Sequence, residues 1–179
     1  MPQIEIRPAL SSDINDLVNI DHSCVSSYVW QMDRQIDEGQ IQVNFREIRL
    51  PRSVTITYPR DVENLAEDWQ HASGLLVAIF EENVVGYVYL KEQSEVQTVT
   101  LRDIVVAKKH RHQGIGTGLV LAARNWAVQR NFRRITMEMP SKNYPAIRLA
   151  MKLGFEFSGY NDAFYANKDI ALFFSRFLK

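Results

Sequence analysis

Hydrophobic and polar positions along this chain fall into short blocks, and the period of each block predicts an element. Ile4 and Ile6 alternate with Glu5 and Arg7, a first strand closed by Pro8. After Ser11 and Ser12, either of which can cap a helix, Ile14, Leu17, Val18, Cys24, Val25 and Tyr28 recur at helical spacing. Ile41, Val43 and Phe45 alternate, as do Val54, Ile56 and Tyr58, with Pro51 between them. This predicts two strands or an extended arm over residues 40–59. Asp61 is placed to cap a short acidic helix reaching Trp69. Residues 74–80, 84–90 and 96–106 read as three strands, with Glu82 and Asn83 as the tight turn between the first two. Ile115, Leu119, Ala122, Ala123, Trp126 and Ala127 share one apolar helical face. A strand over 133–139 ends at Pro140 and Ser141, and Asn143 can cap a helix holding Ala146 and Leu149. A strand over 155–159, a loop around Asn161 and Asp162, and a final strand over 170–177 complete the chain.

Composition narrows the class. With 179 residues the chain is large enough for one well-buried core and short for two, so residues 1–179 are expected to form one domain. Lys plus Arg equals Asp plus Glu at 21 each, so no global field draws the chain to nucleic acid or an anionic membrane. The single cysteine, Cys24, excludes an intrachain disulfide, which suits a reducing cytoplasm. On an apolar helical face it reads as a buried thiol rather than an acyl carrier. The first residues lack the apolar core of a signal peptide, and the four histidines stand without carboxylates or cysteines at ligand spacing, so no metal is expected.

The most informative stretch runs from Asp103 to Gly118. An apolar strand, Ile104, Val105 and Val106, leads into a basic loop with Lys108, Lys109, Arg111 and His112. Gln113, Gly114, Ile115, Gly116 and Thr117 then open a helix. The first N–H groups of a helix have no internal partner and sit at the positive end of its dipole. Glycines there remove side chains that would hold a ligand away. The physics is that of a phosphate or pyrophosphate cradle. A P-loop is excluded, because no lysine follows a glycine. A dinucleotide loop lacks its third small residue at Leu119 but keeps Glu138 as a ribose carboxylate, so a nucleotide-binding oxidoreductase stays open.

Arg111-His112-Gln113-Gly114-Ile115-Gly116 resembles the pyrophosphate loop of the GCN5-related N-acetyltransferases, the GNAT family. A second motif of that family falls in register on Asn143, Ala146, Leu149, Lys152, Gly154 and Phe155. The resemblance covers roughly residues 74–160 and implies an α/β fold with a mixed, mainly antiparallel sheet and helices on both faces. It further implies acetyl-CoA as cosubstrate, held by the loop residues 111–117, Asn143 and Lys152. The thioester carbonyl and pantetheine arm would meet backbone groups near a bulge around Ile104, Val105 and Val106. Glu138 is the first candidate general base and Asp103 the second, each with a surface-charge reading beside it. Where the family often carries a tyrosine that protonates the departing thiolate, this chain has Ala150. Tyr165, Tyr160, Tyr144 or water could replace it, and Tyr165 is the candidate taken as a site residue.

The resemblance implies direct transfer to a primary amine of a small molecule or peptide. A protein N-terminus or lysine, and a CoA-ester sensor without turnover, stand as alternatives. Residues 25–73 match no family motif and are expected to shape the acceptor side. Residues 159–165, with Trp126 and Ala127, are also similar to streptothricin acetyltransferases, which implies a cationic small-molecule amine such as an aminoglycoside-like or peptide-like antibiotic, with a polyamine as a further alternative. Trp126 is expected in the core. A chain of this size is compatible with a homodimer.

Overall fold

The computed structural model describes residues 3–179. Seven strands form one sheet in the order β1 (Glu5–Pro8), β4 (Gly74–Phe80), β5 (Asn83–Gln93), β6 (Thr98–Val106), β7 (Arg134–Pro140), β9 (Ala171–Phe177), β8 (Glu156–Asn161). Every pairing is antiparallel except β6 with β7. That parallel pair needs a crossover, and α3 (Ile115–Gln129) supplies it. Period-two alternation assigns the two faces. Leu76, Ala78, Val88, Leu90, Leu101, Ile135 and Met137 turn to one side, against Leu119, Ala123 and Ala127 of α3 and Ile147 and Ala150 of α4 (Tyr144–Lys152). Leu75, Val77, Tyr87, Tyr89 and Val105 turn to the other, against Ile14 and Leu17 of α1 (Ile14–Val18) and Leu65 of α2 (Leu65–Gln70). Both α1 and α2 are short, and they cover only the β4–β6 part of that face.

The expected helix through Tyr28 is cut at Val18. Cys24, Val25 and Tyr28 lie instead on β2 (Cys24–Asp37), which pairs with β3 (Gln40–Ile56) in a separate two-stranded sheet. The segment Val25 to Trp30 is rich in β-branched and aromatic residues, and that preference overrides the helical spacing. Gly39, at φ +75, makes the hairpin turn. Pro51, expected to interrupt two strands, sits within one long strand at the register shift opposite residues 26–28, where no ladder donor is lost. The hairpin is tied to the body through the Trp30 N–H, which donates to Ser141 O at 2.9 Å. Tyr28 stacks on Tyr144 at 4.8 Å, and Phe45 packs on Phe157 and Tyr160.

Smaller corrections have local causes. Neither Ser11 nor Ser12 caps α1; a 3₁₀ turn over Ser11–Asp13 precedes it, and the Asp13 carboxylate accepts from Leu10 N–H. Asp61 accepts from Glu63 N–H, but α2 begins after Asn64. The β4–β5 turn is centred on Glu81 and Glu82, both at positive φ, one residue before the expected pair. Val96 belongs to a 3₁₀ turn ahead of β6, and Pro140 lies inside β7. Trp126 is half-buried, with Gly74 beneath it and the Arg130 guanidinium 3.9 Å from its ring centroid. Among the described residues no helix is long and apolar enough to cross a membrane.

Candidate active site

The parallel ladder between β6 and β7 runs only from Thr98–Arg134 to Leu101–Met137. Beyond it β6 continues to Val106 paired with β5 alone, and β7 continues to Pro140 paired with β9 alone. A wedge opens between them. The register of β5 and β6 shifts at Arg102, the extra residue between Leu101 and Asp103. The bulge therefore lies two to four residues earlier than the expected 104–106. Ala107 N–H donates to Val85 O across the β5 side at 2.8 Å. By strand alternation Val105 faces β5 as well, while Ile104 and Val106 turn their N–H groups into the wedge. Of the three expected residues, two present donors there and Val105 presents its side chain to the α1–α2 core.

The glycine turn stands at the end of β6. Gly114, at φ +85, is the N-cap of α3, and a Cβ built on it would have nothing within 4 Å. The first intrahelical bond runs from Gly118 N–H to Gly114 O at 2.9 Å, so the N–H groups of Ile115, Gly116 and Thr117 have no intrahelical acceptor. A Cβ on Gly116 would touch Leu149 Cδ2 at 3.4 Å, so this glycine lets α3 approach α4. His112, Gln113 and Gly114 are exposed, with His112 at φ +62, whereas the Ile115 side chain is buried in the core. The Arg111 guanidinium donates to Val106 O at 2.8 Å and to Asp21 O at 2.9 Å. It fastens the loop to the end of β6 and to the segment before β2.

Asn143 caps α4 by accepting from Ala146 N–H at 3.2 Å, and it also accepts from Cys24 Sγ at 3.6 Å. Both residues line the wedge. Burial pushes the Cys24 thiol up, so it stays protonated. Lys152 is exposed at the other end of α4, about 13 Å along the axis from Asn143. Ala150 is 0% exposed within the main core, away from the wedge lining.

At the mouth of the wedge the sequence-predicted carboxylates come together around a residue that sequence reasoning did not single out. Arg60, in the segment between β3 and α2, donates through Nη1 to Asp103 Oδ1 at 2.8 Å and through Nη2 to Glu138 Oε1. Arg102 takes the other oxygen of Asp103 through Nε at 3.2 Å and reaches Asp68 at 2.5 Å. Tyr165 donates to Glu138 Oε1 at 3.2 Å, and its ring lies under the Arg60 guanidinium at 5.3 Å. The Asp103 and Glu138 side chains are 3% and 8% exposed. Burial raises the Glu138 carboxyl above its ordinary value, against the pull of Arg60. Burial beside Glu138 also pushes the Tyr165 phenol well up, so it remains a donor. Tyr160 packs on Phe45, and Tyr144 stacks on Tyr28 with its hydroxyl 3.3 Å from Glu47, so neither joins this group.

A second polar chain backs Asp103. Tyr58 stands beside Asp103 and Tyr87, and burial and the Asp103 charge push its phenol up. The Tyr87 hydroxyl lies 2.9 Å from His22 Nε2, and His22 Nδ1 lies 2.5 Å from Ile20 O. A carbonyl only accepts, so Nδ1 carries the hydrogen and Nε2 accepts from Tyr87. Burial holds this imidazole below its ordinary value, which keeps it neutral.

Arg60, Glu138 and Tyr165 form the wall between two spaces. One is the wedge. The other is a cavity of about 770 Å³ over the open face of β6, β7, β9 and β8, beyond the reach of α1 and α2. Among the described residues no group of three His, Cys, Asp or Glu side chains is arranged to hold a metal.

The profile of the acetyltransferase (GNAT) family matches residues 43–155. The streptothricin acetyltransferase of Streptomyces lavendulae is 28% identical over 166 residues, covering 90% of this chain and 86% of that protein. The streptothricin acetyltransferase of Escherichia coli is 29% identical over 93 residues, about half of each chain. Among solved structures, a nourseothricin acetyltransferase superposes with a TM-score of 0.83 at 22% identity, covering 98% of this chain and 99% of that one. A Bacillus anthracis protein assigned as a streptothricin acetyltransferase, solved with acetyl coenzyme A, gives 0.76 at 20% identity, covering 98% and 100%. These likenesses show the fold.

Proposed function

The chain belongs to the GNAT acetyltransferase family and is an acyltransferase, and from that premise we propose that it moves the acetyl group of acetyl-CoA directly to a primary amine of a small molecule or peptide. The observation that carries this reading is the wedge: unpaired strand donors, an open glycine cradle and a buried, guanidinium-held carboxylate converge on one gap in the sheet. In this reading the N–H groups of Ile115, Gly116 and Thr117, which have no intrahelical acceptor, receive the pyrophosphate beside the open space at Gly114. Arg111, His112, Gln113, Ile115 and Thr117 shape that turn, Asn143 closes the wedge from α4, and Lys152 lies at its margin. The Ile104 and Val106 N–H groups pair with the pantetheine arm and polarise the thioester carbonyl, where donors aimed at developing charge contribute a large share of catalysis.

Glu138 is the general base. Only the free amine is a nucleophile, and Glu138 stands between the wedge and the open cavity with one oxygen held by Arg60 and Tyr165 and the other available. Asp103, gripped by Arg60 and Arg102, is a positioning residue that keeps Arg60 aimed at Glu138. Tyr165 orients the base and, with Ala150 replacing the usual phenol, is the residue nearest to the role of proton donor to the thiolate. The streptothricin acetyltransferases among the relatives support a small-molecule amine as acceptor. The whole of 1–179 then acts as one acetyltransferase domain.

Thermal shift with acetyl-CoA, CoA and NAD(H) in parallel tests the cradle. A ligand at 100 times its dissociation constant stabilises the native state by about 2.7 kcal/mol. Response to the CoA species alone, followed by amine-dependent thiol release, supports transfer. Response to the CoA species with no thiol release would leave a CoA-ester sensor, and response to NAD(H) alone would return the oxidoreductase reading.

A further inference from the structure

The open cavity carries charge of the wrong sign for a polycationic acceptor. Its ionic lining is Arg60, Lys91, Arg102 and Arg134 against one carboxylate, Glu138. Arg60 and Arg102 are engaged with Asp103, Glu138 and Asp68. Arg134 is not engaged in this way. Its Nε donates to Thr98 Oγ1 at 3.0 Å, and among the described residues neither it nor Lys91 has a carboxylate within 4.0 Å. The floor beside Arg134 is built of hydroxyls. Thr136 and Ser158 each lie 2.8 Å from Ser175 Oγ, so this part of the sheet is polar yet carries no anion. A guanidinium tethered by Nε keeps its two terminal nitrogens in one plane, the fork that matches a carboxylate.

Resting on the acetyltransferase reading, we propose that the acceptor is a short zwitterion: an amine that meets Glu138 and a carboxylate that meets Arg134 at the far end of the cavity. The two residues lie four positions apart on β7 and on the same face, about 13 Å between Cα atoms. A span of about 10–13 Å is the length of an extended tripeptide to tetrapeptide. Lys91 adds to the positive field at that end. A molecule with several cations and no anion would face Lys91 and Arg134 unscreened.

Glycylglycylglycine and its C-terminal amide are the probes. Each is titrated into the CoA-loaded protein by calorimetry, and each is then offered with acetyl-CoA while thiol release is followed. The free acid is expected to bind at least 10-fold more tightly than the amide and to be turned over with a correspondingly higher kcat/KM. In Arg134→Gln the acid-to-amide ratio should collapse toward one, and in Arg134→Lys, which keeps the charge but loses the fork, it should fall only in part. Equal binding of acid and amide by the natural protein, or a ratio unmoved in Arg134→Gln, overturns the proposal. Preferential binding of the acid with no thiol release from any amine leaves the anion site standing and counts against the acetyltransferase reading.

Discussion

Arg60 joins two carboxylates whose side chains are nearly out of solvent, and replacing it by methionine tests whether the site is held as described. The variant keeps most of the apolar stem and removes the charge. A unit charge pair at about 4 Å is worth about 4 kcal/mol at an effective dielectric of 20. Removing one partner of a buried pair costs about 3–5 kcal/mol, because the other is left uncompensated. Arg60 retains 20% exposure, and Asp103 keeps Arg102, so the lower end applies. A loss of about 3 kcal/mol in a chain of this size lowers Tm by roughly 6–12 °C. The double variant Arg60→Met/Glu138→Gln should regain part of the loss, with a coupling of about 1–3 kcal/mol. The same change frees the Glu138 carboxyl from its cation, so the acidic limb of kcat/KM moves to higher pH. Thermal melts of the four proteins and their pH profiles provide the assay. An Arg60→Met protein that melts within about 2 °C of the natural one, with no coupling and an unmoved acidic limb, would refute the argument.

Three further outcomes follow from particular contacts. Glu138→Gln should lower kcat while sparing CoA affinity. Because burial raises this carboxyl, natural activity should fall as pH drops through a value above the ordinary glutamate range, and the variant should lose that limb; full activity across pH would remove Glu138 from the base role. Gly114→Val should weaken CoA binding at least 10-fold in titration and cost about 1–2 kcal/mol in the free protein, since its φ of +85 is strained for a side chain even though no atom lies within 4 Å. Arg7 holds the Asp13 carboxyl below its ordinary value through bonds of 2.7 and 3.0 Å, so the pair stabilises the fold above the unfolded aspartate value and that contribution is lost as pH falls through the lower folded one. Asp13→Asn should therefore be about 1–2 kcal/mol less stable at neutral pH, with the gap closing in urea melts as pH falls below the ordinary aspartate range.

What the sequence made legible was local. The apolar runs of β4 and β5, the alternation in β7, the glycine turn into α3 and the Asn143 cap each depend on residues within a few positions of one another, and each lies where the pattern predicts. Residues 40–59 read as strand or extended arm, and β3 lies there, but its partner β2 is hidden because Ile14, Leu17, Val18, Cys24, Val25 and Tyr28 fit a helical period across what is a break at residues 19–23. Arg60 was missed for a different reason. Its partners lie 43 and 78 residues away, and no periodicity marks a single guanidinium in a loop. The same holds for the link from His22 to Tyr87, 65 residues apart. Glu138 and Asp103 were visible as candidates, but the division of labour between them depends on which carboxylate has both oxygens occupied, a fact of packing alone.

The short parallel ladder makes the sheet two antiparallel halves joined by a seam. Residues 5–106 fold back and forth on themselves, residues 134–177 do the same, and four rungs hold the halves edge to edge before they part. Beyond the rungs the halves are tied by the Arg133 N–H, which donates to Gln97 O at 3.0 Å, by the hairpin bond from Trp30 N–H to Ser141 O, by side chains and by the α3 crossover. A molecule lying in the gap and bonded to both lips therefore substitutes for missing rungs, and occupancy and the cohesion of the two halves become one linked quantity. Amide exchange at the seam is then a direct gauge of occupancy: the Ile104 and Val106 amides, unpaired when the gap is open, become internal positions of the sheet when it is filled.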